Sequence, residues 1–346
     1  MQHQRSHTHL VTAAGGAIDR DDVAKQTSDY EKYHTTHGGS EESRKQMYAD
    51  MVNKYYNLAT SFYEYGWGES FHFAHRWNGE TLNESIRRHE HYLALKLGLN
   101  KGMKCMDLGC GVGGPLREIA SFSGASVTGV NNNQYQVERA RQLTAGKRNG
   151  LADRCEFVKA DFMKLPLEDE SFDAAYAIEA TCHAPDAVAC YKQIYDKLKP
   201  GALFANYEWC LTSKYDPENP VHAKSKAEIE IGNGLPVIRT TAECLEAMKK
   251  AGFEIVEEED LVDTAEVTWY EPLAPQMISL SSFRTSTLGK LITRNMVWAL
   301  ETLKIAPSGT VRVSNFLETA ADGLVDGGKM GIFTPMYLMV GRKPLK

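Results

Sequence analysis

At 346 residues with 42% hydrophobic content, the chain can hold one large α/β domain with additions or two modest domains around a real core. A formal net charge of −6 and the absence of a Lys/Arg run argue against nucleic acid as a partner. No stretch approaches about 18 consecutive apolar residues and the N-terminus lacks the apolar core of a secretory signal, so a chain on the cytoplasmic side without a transmembrane segment is expected.

Residues 1–40 mix His, Thr, Ser, Gly and charges without periodicity and read as a disordered leader. From Glu41, Met47, Met51, Tyr55, Leu58 and Phe62 recur at helical spacing. A second helix carries Leu82, Ile86, His89, Leu93 and Leu97 and ends at Gly98, a C-cap residue. Between them lies an aromatic segment from Phe62 to Phe73, read as a bent loop because of Gly66 and Gly68. From Met103 short apolar strands alternate with amphipathic helices, the pattern of βαβ units and a doubly wound parallel sheet. Strands are predicted near 103–108, 126–131, 154–160, 172–179, 202–208 and 253–258, and helices near 114–122, 134–147, 187–198 and 241–251. After Thr268 come two more helical stretches and a final strand, Ile332 to Val340, expected to join the sheet antiparallel. Seven cysteines from Cys105 to Cys244, with no CxxC pair, fit reduced structural thiols and no metal site.

The first strand, ending Met106-Asp107-Leu108, runs into Gly109-Cys110-Gly111-Val112-Gly113-Gly114-Pro115 and then a helix. Glycines there let the backbone approach a nucleotide-like ligand at the carboxyl edge of the sheet. The same residues satisfy GxGxxG, which admits a dinucleotide. Asp107 weighs against that, because a pyrophosphate would meet like charge. A carboxylate suits a cofactor with an ammonium group, and DxGxGxG resembles motif I of class I methyltransferases, which implies S-adenosylmethionine. Asp107, Gly109, Cys110, Gly111 and Gly113 are therefore the first cofactor candidates. The second strand ends at Asn131-Asn132, where an acidic ribose ligand is usual; Asn131 can accept and donate there, with Asn132 and Gln136 close in sequence. Asp161 and Phe162, after the third strand, offer an acceptor for an adenine amino group and a ring beside it.

The segments FYEYGWGESFHF, MDLGCGVGGP, YAIEATCHAPD, YEWCLTSKYDPENP, GNGLP and GIFTPMYLMVGRKP resemble sterol C24-methyltransferases from about residue 45 onward. The Tyr-Glu-Tyr-Gly-Trp-Gly form is closer to the plant and algal cycloartenol type than to the later-acting type, which tends to carry Trp in place of Tyr65. In that family Asn131 is the usual residue. The resemblance implies a class I Rossmann-like fold with an N-terminal helical cap and a C-terminal helical extension. Its expected division is a leader (1–40), a helical and aromatic substrate cap (41–100), an S-adenosylmethionine-binding domain (101–267) and a C-terminal sterol methyltransferase region (268–346). It further implies transfer of a methyl group to C24 of a Δ24 sterol, a transient cation at C25, a hydride shift and loss of a proton. Peripheral contact with the endoplasmic reticulum and a homo-oligomer are also expected.

Such chemistry needs apolar walls, cation stabilisation and one base. Tyr63, Tyr65, Trp67 and Phe71 are the wall candidates, and Glu64 or Glu69 is the candidate anchor for the sterol 3-hydroxyl. Glu179 and His183, after the fourth strand, are candidates for proton removal or cation stabilisation, with Glu179 also near the cofactor. Cys182 between them reads as packing. Tyr207, Glu208 and Asp260 are candidates to face the sterol side chain. Three rivals are a methyltransferase for another small acceptor, a nicotinamide-dependent oxidoreductase and a sterol carrier without catalysis.

Overall fold

The computed structural model describes residues 18, 21–34, 39–146, 150–274 and 287–345. The chain forms two compact units that alternate along the sequence. One is built from Glu69–Tyr215, Val237–Trp269 and Gly331–Lys346; the other takes the chain up to Gly68 together with Asp216–Pro236 and Tyr270–Met330. This replaces the expected linear division, because the chain leaves the sheet twice to build helices and returns each time.

The sheet unit carries β1 (Lys104–Leu108), β2 (Ser126–Asn131), β3 (Cys155–Lys159), β4 (Phe172–Ile178), β5 (Leu198–Leu211), β6 (Arg239–Thr240), β7 (Glu254–Asp260) and β8 (Phe333–Arg342). The path is β3-β2-β1-β4-β5-β8-β7, with β6 pairing β5. The β3-β2-β1-β4-β5 portion is parallel, and β8 runs antiparallel between β5 and β7. The doubly wound sheet and its late antiparallel strand are therefore as expected. The strand order reverses beside β1, the place where such sheets take their ligands.

Alternation along the strands sorts side chains onto two faces. Met106, Leu108, Ala175, Ala177 and Phe204 meet Tyr191, Ile194, Cys244 and Met248 from the helices Ala187–Lys197 and Thr241–Lys250 in one buried cluster. Asp107, Tyr176, Tyr207 and Trp209 take the intervening positions and belong to the opposite face. There Tyr207 stacks on His89 of the helix Leu82–Lys96 at 3.7 Å. A reciprocal Thr81/Glu84 capping box starts that helix, and Gly98 at φ +62° follows its end. All seven cysteines are free.

In the helical unit, Tyr30, Met51, Tyr55, Leu58, Val313 and Phe316 form a buried cluster. The helix Val23–Glu31 supplies Val23, Thr27 and Tyr30 to the interior, so the expected disordered leader is corrected over that stretch. Residues 1–17 lie outside the described residues. The aromatic segment is also corrected: Tyr48–Trp67 is one helix, and the chain turns only at Gly68, φ +86°. A helix not foreseen from sequence, Pro220–Asn233, packs on the helix Thr310–Met330. The contact is so close that a Cβ on Gly232 would meet the Ala320 Cβ at 2.0 Å. Arg44 ties the unit together by bonding the Pro236 carbonyl at 2.9 Å and the Glu230 carboxylate at 3.2 Å, both out of solvent.

Candidate functional site

The glycine loop leaves β1 by folding back on β2, with the Gly109 and Cys110 amides both donating to the Val130 carbonyl. Gly109 has φ +79°, and a Cβ there would meet Ala180 Cβ at 2.3 Å, so only glycine fits. Gly111, also at positive φ, has only a Phe71 ring carbon at 3.7 Å beside the position of a Cβ, which keeps that stretch of backbone open for a ligand. Gly113 is left-handed and precedes Pro115 in the first turn of the helix Gly114–Ser123.

Asp107 lies beneath this loop, 3% exposed, and the Tyr176 hydroxyl donates to its Oδ2 at 3.1 Å. Burial pushes its carboxyl up to about 7; the Tyr176 bond opposes this, the nearby Glu90 charge adds to it and His72 opposes it. A buried carboxylate in that state gains from a cation brought to it. At the end of β2, Asn131 Nδ2 donates to Gln136 Oε1 at 2.7 Å, so its Oδ1 is the acceptor it can present to a ribose hydroxyl. Asn133 caps the following helix by accepting from the Gln136 amide, and Asn132 sits half-buried in the bend. Asp161 accepts from the Met163 amide at 2.8 Å, which fixes the turn after β3. Phe162 packs against the sheet's main core cluster. The glycine cradle, the buried carboxylate and the amide at β2 fit S-adenosylmethionine: Asp107 suits its ammonium group, the loop its close approach and Asn131 its ribose.

Glu179 directly follows β4 at φ +51°, a left-handed conformation uncommon for a non-glycine residue. Its amide stays in the ladder by donating to the Tyr207 carbonyl at 2.9 Å. Its carboxylate is held at both oxygens, Oε1 by the Phe73 amide and Oε2 by the Trp209 indole N–H, each at 2.7 Å. Burial pushes this carboxyl up to about 7 against the pull of His72 and of the two donors, with Glu208 adding to the rise. The rings of its two partners, Phe73 and Trp209, pack with Trp269 and Phe333 at centroid separations of 4.9 to 6.1 Å. Trp269 and Phe73 are brought together by a bridge between Arg76 and Val267.

The other catalytic candidates separate. His183 is buried in the single turn Thr181–His183 and is not among the two groups bonding the Glu179 carboxylate within the described residues. The Tyr207 hydroxyl donates to the His89 carbonyl at 3.0 Å. Glu208 points to the opposite face, where it accepts from Thr181 and from Tyr191 at 2.9 Å. The strand period of two aims Tyr207 and Glu208 to opposite faces of the sheet. Asp260 ends β7, accepts from Thr334 at 2.7 Å and from the Val262 amide at 3.1 Å, and lies on the sheet's edge strand, two strands from β5. Cys182 donates to the Glu179 carbonyl at 3.4 Å. Glu69 pairs with Arg117 at 2.7 Å. Tyr63, Glu64 and Trp67 belong to the helix Tyr48–Trp67 of the other unit, where Tyr63 shares a hydroxyl bond with Tyr55 at 2.5 Å. The Tyr65 side chain lies outside the described residues.

Trp209, Phe73, His72 and Glu90 were not foreseen. His72 and Ser70 both bond Glu90 Oε1, at 3.1 and 2.8 Å, in a buried group. One signal existed: Trp209 is two residues beyond Tyr207 and so shares its face.

Two family models match: a methyltransferase domain over residues 106–206 and a sterol methyltransferase C-terminal region over residues 280–345. The chain is 62% identical over 336 residues to cycloartenol-C-24-methyltransferase 1 of Oryza sativa subsp. japonica, covering 97% of each. It is 61% identical to the cycloartenol-C-24-methyltransferase of Arabidopsis thaliana, covering 97% of this chain and 99% of that one. Among solved structures, the geranyl diphosphate C-methyltransferase of Streptomyces coelicolor superposes with a TM-score of 0.60 at 16% identity, over 86% of this chain and 98% of that one. The [4+2]-cyclase SpnF gives a TM-score of 0.61 at 21% identity, over 86% and 97%. These two likenesses speak for the fold.

Proposed function

We propose that the chain, which belongs to the sterol 24-C-methyltransferase family and within it to the plant cycloartenol type, takes cycloartenol as its acceptor. It is an S-adenosylmethionine-dependent enzyme that methylates C24 of a sterol side chain in phytosterol biosynthesis. The cofactor supplies an electrophilic methyl group, and the protein's own residues supply position, a dry environment and a base.

On this reading Asp107 holds the ammonium group, the Gly109–Gly113 backbone lets the ligand lie close, and Asn131 and Asp161 receive its ribose and adenine. Glu179 faces the reacting carbons. Its carboxylate offsets the cation that methyl addition leaves at C25, then takes the proton whose loss restores an alkene. The observation that carries this assignment is the Glu179 carboxylate, buried and gripped at both oxygens by Phe73 and Trp209, whose rings pack on each other. A carboxyl pushed up to about 7 is a competent base near neutral pH. His183 is a second-choice base on position alone.

Among the described residues no helix is long and apolar enough to cross a membrane. Peripheral contact with the endoplasmic reticulum and homo-oligomer formation rest on the family resemblance and on no contact in the structure. The test is incubation of purified protein with methyl-labelled S-adenosylmethionine and, in parallel, cycloartenol and its side-chain-saturated analogue, followed by mass analysis. Label on cycloartenol alone supports the reading; label on the saturated sterol overturns it.

A further inference from the structure

Glu179 owes its place to two N–H donors of different kinds. The Phe73 amide belongs to the backbone and survives any side-chain change. The Trp209 indole is a single replaceable donor, 2.7 Å from Oε2, on a side chain 9% exposed and wedged between Phe73 and Phe333. An N–H aimed at a carboxylate oxygen favours the ionised form and fixes the plane of the group. Among the described residues, that carboxylate has just these two hydrogen-bond partners. We propose that Trp209 is a positioning residue for the methyl transfer, its indole N–H keeping the Glu179 carboxylate ionised and oriented for removal of the acceptor's proton. The proposal rests on the reading of Glu179 as the base.

Other titratable groups face Glu179. His72 lies near enough to pull its carboxyl down and is itself bonded to Glu90; Glu208 pushes it up through β5; Cys182 donates to its backbone carbonyl. Asp107 titrates in the same range but belongs to the cofactor's end. Rates are therefore compared at saturating S-adenosylmethionine, and what is read is the displacement between variant and parent.

The experiment measures the pH dependence of kcat for cycloartenol methylation by the full chain and by W209F and E179Q. Phenylalanine keeps an aromatic body and removes only the donor. Losing a bond to a charged group is expected to lower kcat roughly ten- to hundredfold at pH 7. The acidic limb should move to higher pH by about one unit or more, with KM for S-adenosylmethionine unchanged. A W209F profile that overlays the parent while E179Q is inactive overturns the role of Trp209 and leaves Glu179 as the base. An E179Q enzyme with parental kcat overturns the base assignment and the Trp209 proposal with it. A measurement on the unaltered side chain guards against misfolding of W209F. Of the five tryptophans, one 15N-labelled indole should titrate with Glu179 in the parent and stop titrating in E179Q. Absence of any titrating indole in the parent overturns the proposal.

Discussion

Asp107 and Glu179 share a predicament: each is a carboxyl taken out of water, and each is pushed up to about 7, chiefly by burial. For an acid whose folded pKa is raised, the stabilising contribution is complete below the unfolded value and is lost as pH climbs through the folded one. The two groups therefore predict that the cofactor-free protein loses thermal stability as pH rises from about 4 to about 7, read as a falling Tm. Saturating S-adenosylmethionine should flatten the part due to Asp107, because the ammonium group then meets the ionised carboxylate. A Tm that rises steadily over that range with no cofactor present would contradict the burial argument. Asp107→Asn keeps the shape and removes the charge. It should weaken S-adenosylmethionine binding by roughly 2–5 kcal/mol, as for truncation of one partner of a buried charge pair, while leaving sterol binding near parental; calorimetry measures both. Asp107, the glycines and Asn131 were legible in the sequence because they form contiguous runs at the ends of adjacent strands. Trp209 and Phe73 were not, since the bond from Phe73 to Glu179 joins residues 106 apart in the chain.

At the scale of elements, the helices that went unread are those whose composition argues against them. Pro220–Asn233 starts with proline and ends in Gly232-Asn233-Gly234, a run that reads as a turn. Pro220 in fact opens the first turn behind the Asn219 cap, and Gly234 at φ +65° closes the helix. Gly232 is there for packing, since the Ala320 Cβ occupies the place its own would need. Gly232→Ala should thus lower stability by about 1–3 kcal/mol despite alanine's better helix propensity. Ala320→Gly in the same chain should restore part of that loss. Urea unfolding of both variants checks this, and a stabilised Gly232→Ala would refute the close contact. The helix ending at Trp67 shows the same conflict, because glycines at 66 and 68 suggest an early bend, yet of the two only Gly68 adopts positive φ.

Over the whole molecule, the sequence divides by motif whereas the structure divides by where the chain returns. The final strand illustrates why. Read in order, residues 331–345 look like the end of a C-terminal sterol region, yet β8 lies between β5 and β7, with register contacts from Leu203↔Arg342 to Leu211↔Phe333 on one side. Leu338, Met339 and Val340 are fully or nearly fully buried there. Lys343 reaches further, donating to the Leu198 carbonyl at 2.8 Å and the Tyr195 carbonyl at 3.1 Å. Trp209, on β5, contacts Phe333 of β8, so the ring cluster that holds Trp209 includes a side chain from the last fourteen residues of the chain. A chain truncated after Met330 should consequently lose cooperative unfolding and S-adenosylmethionine binding, although no residue of β8 belongs to the glycine loop. Dye-monitored melting and cofactor calorimetry on the truncated chain measure both losses. Retained binding with parental affinity would mean that β1, β2 and β4 hold their loops without β8, and that the tail serves the acceptor alone.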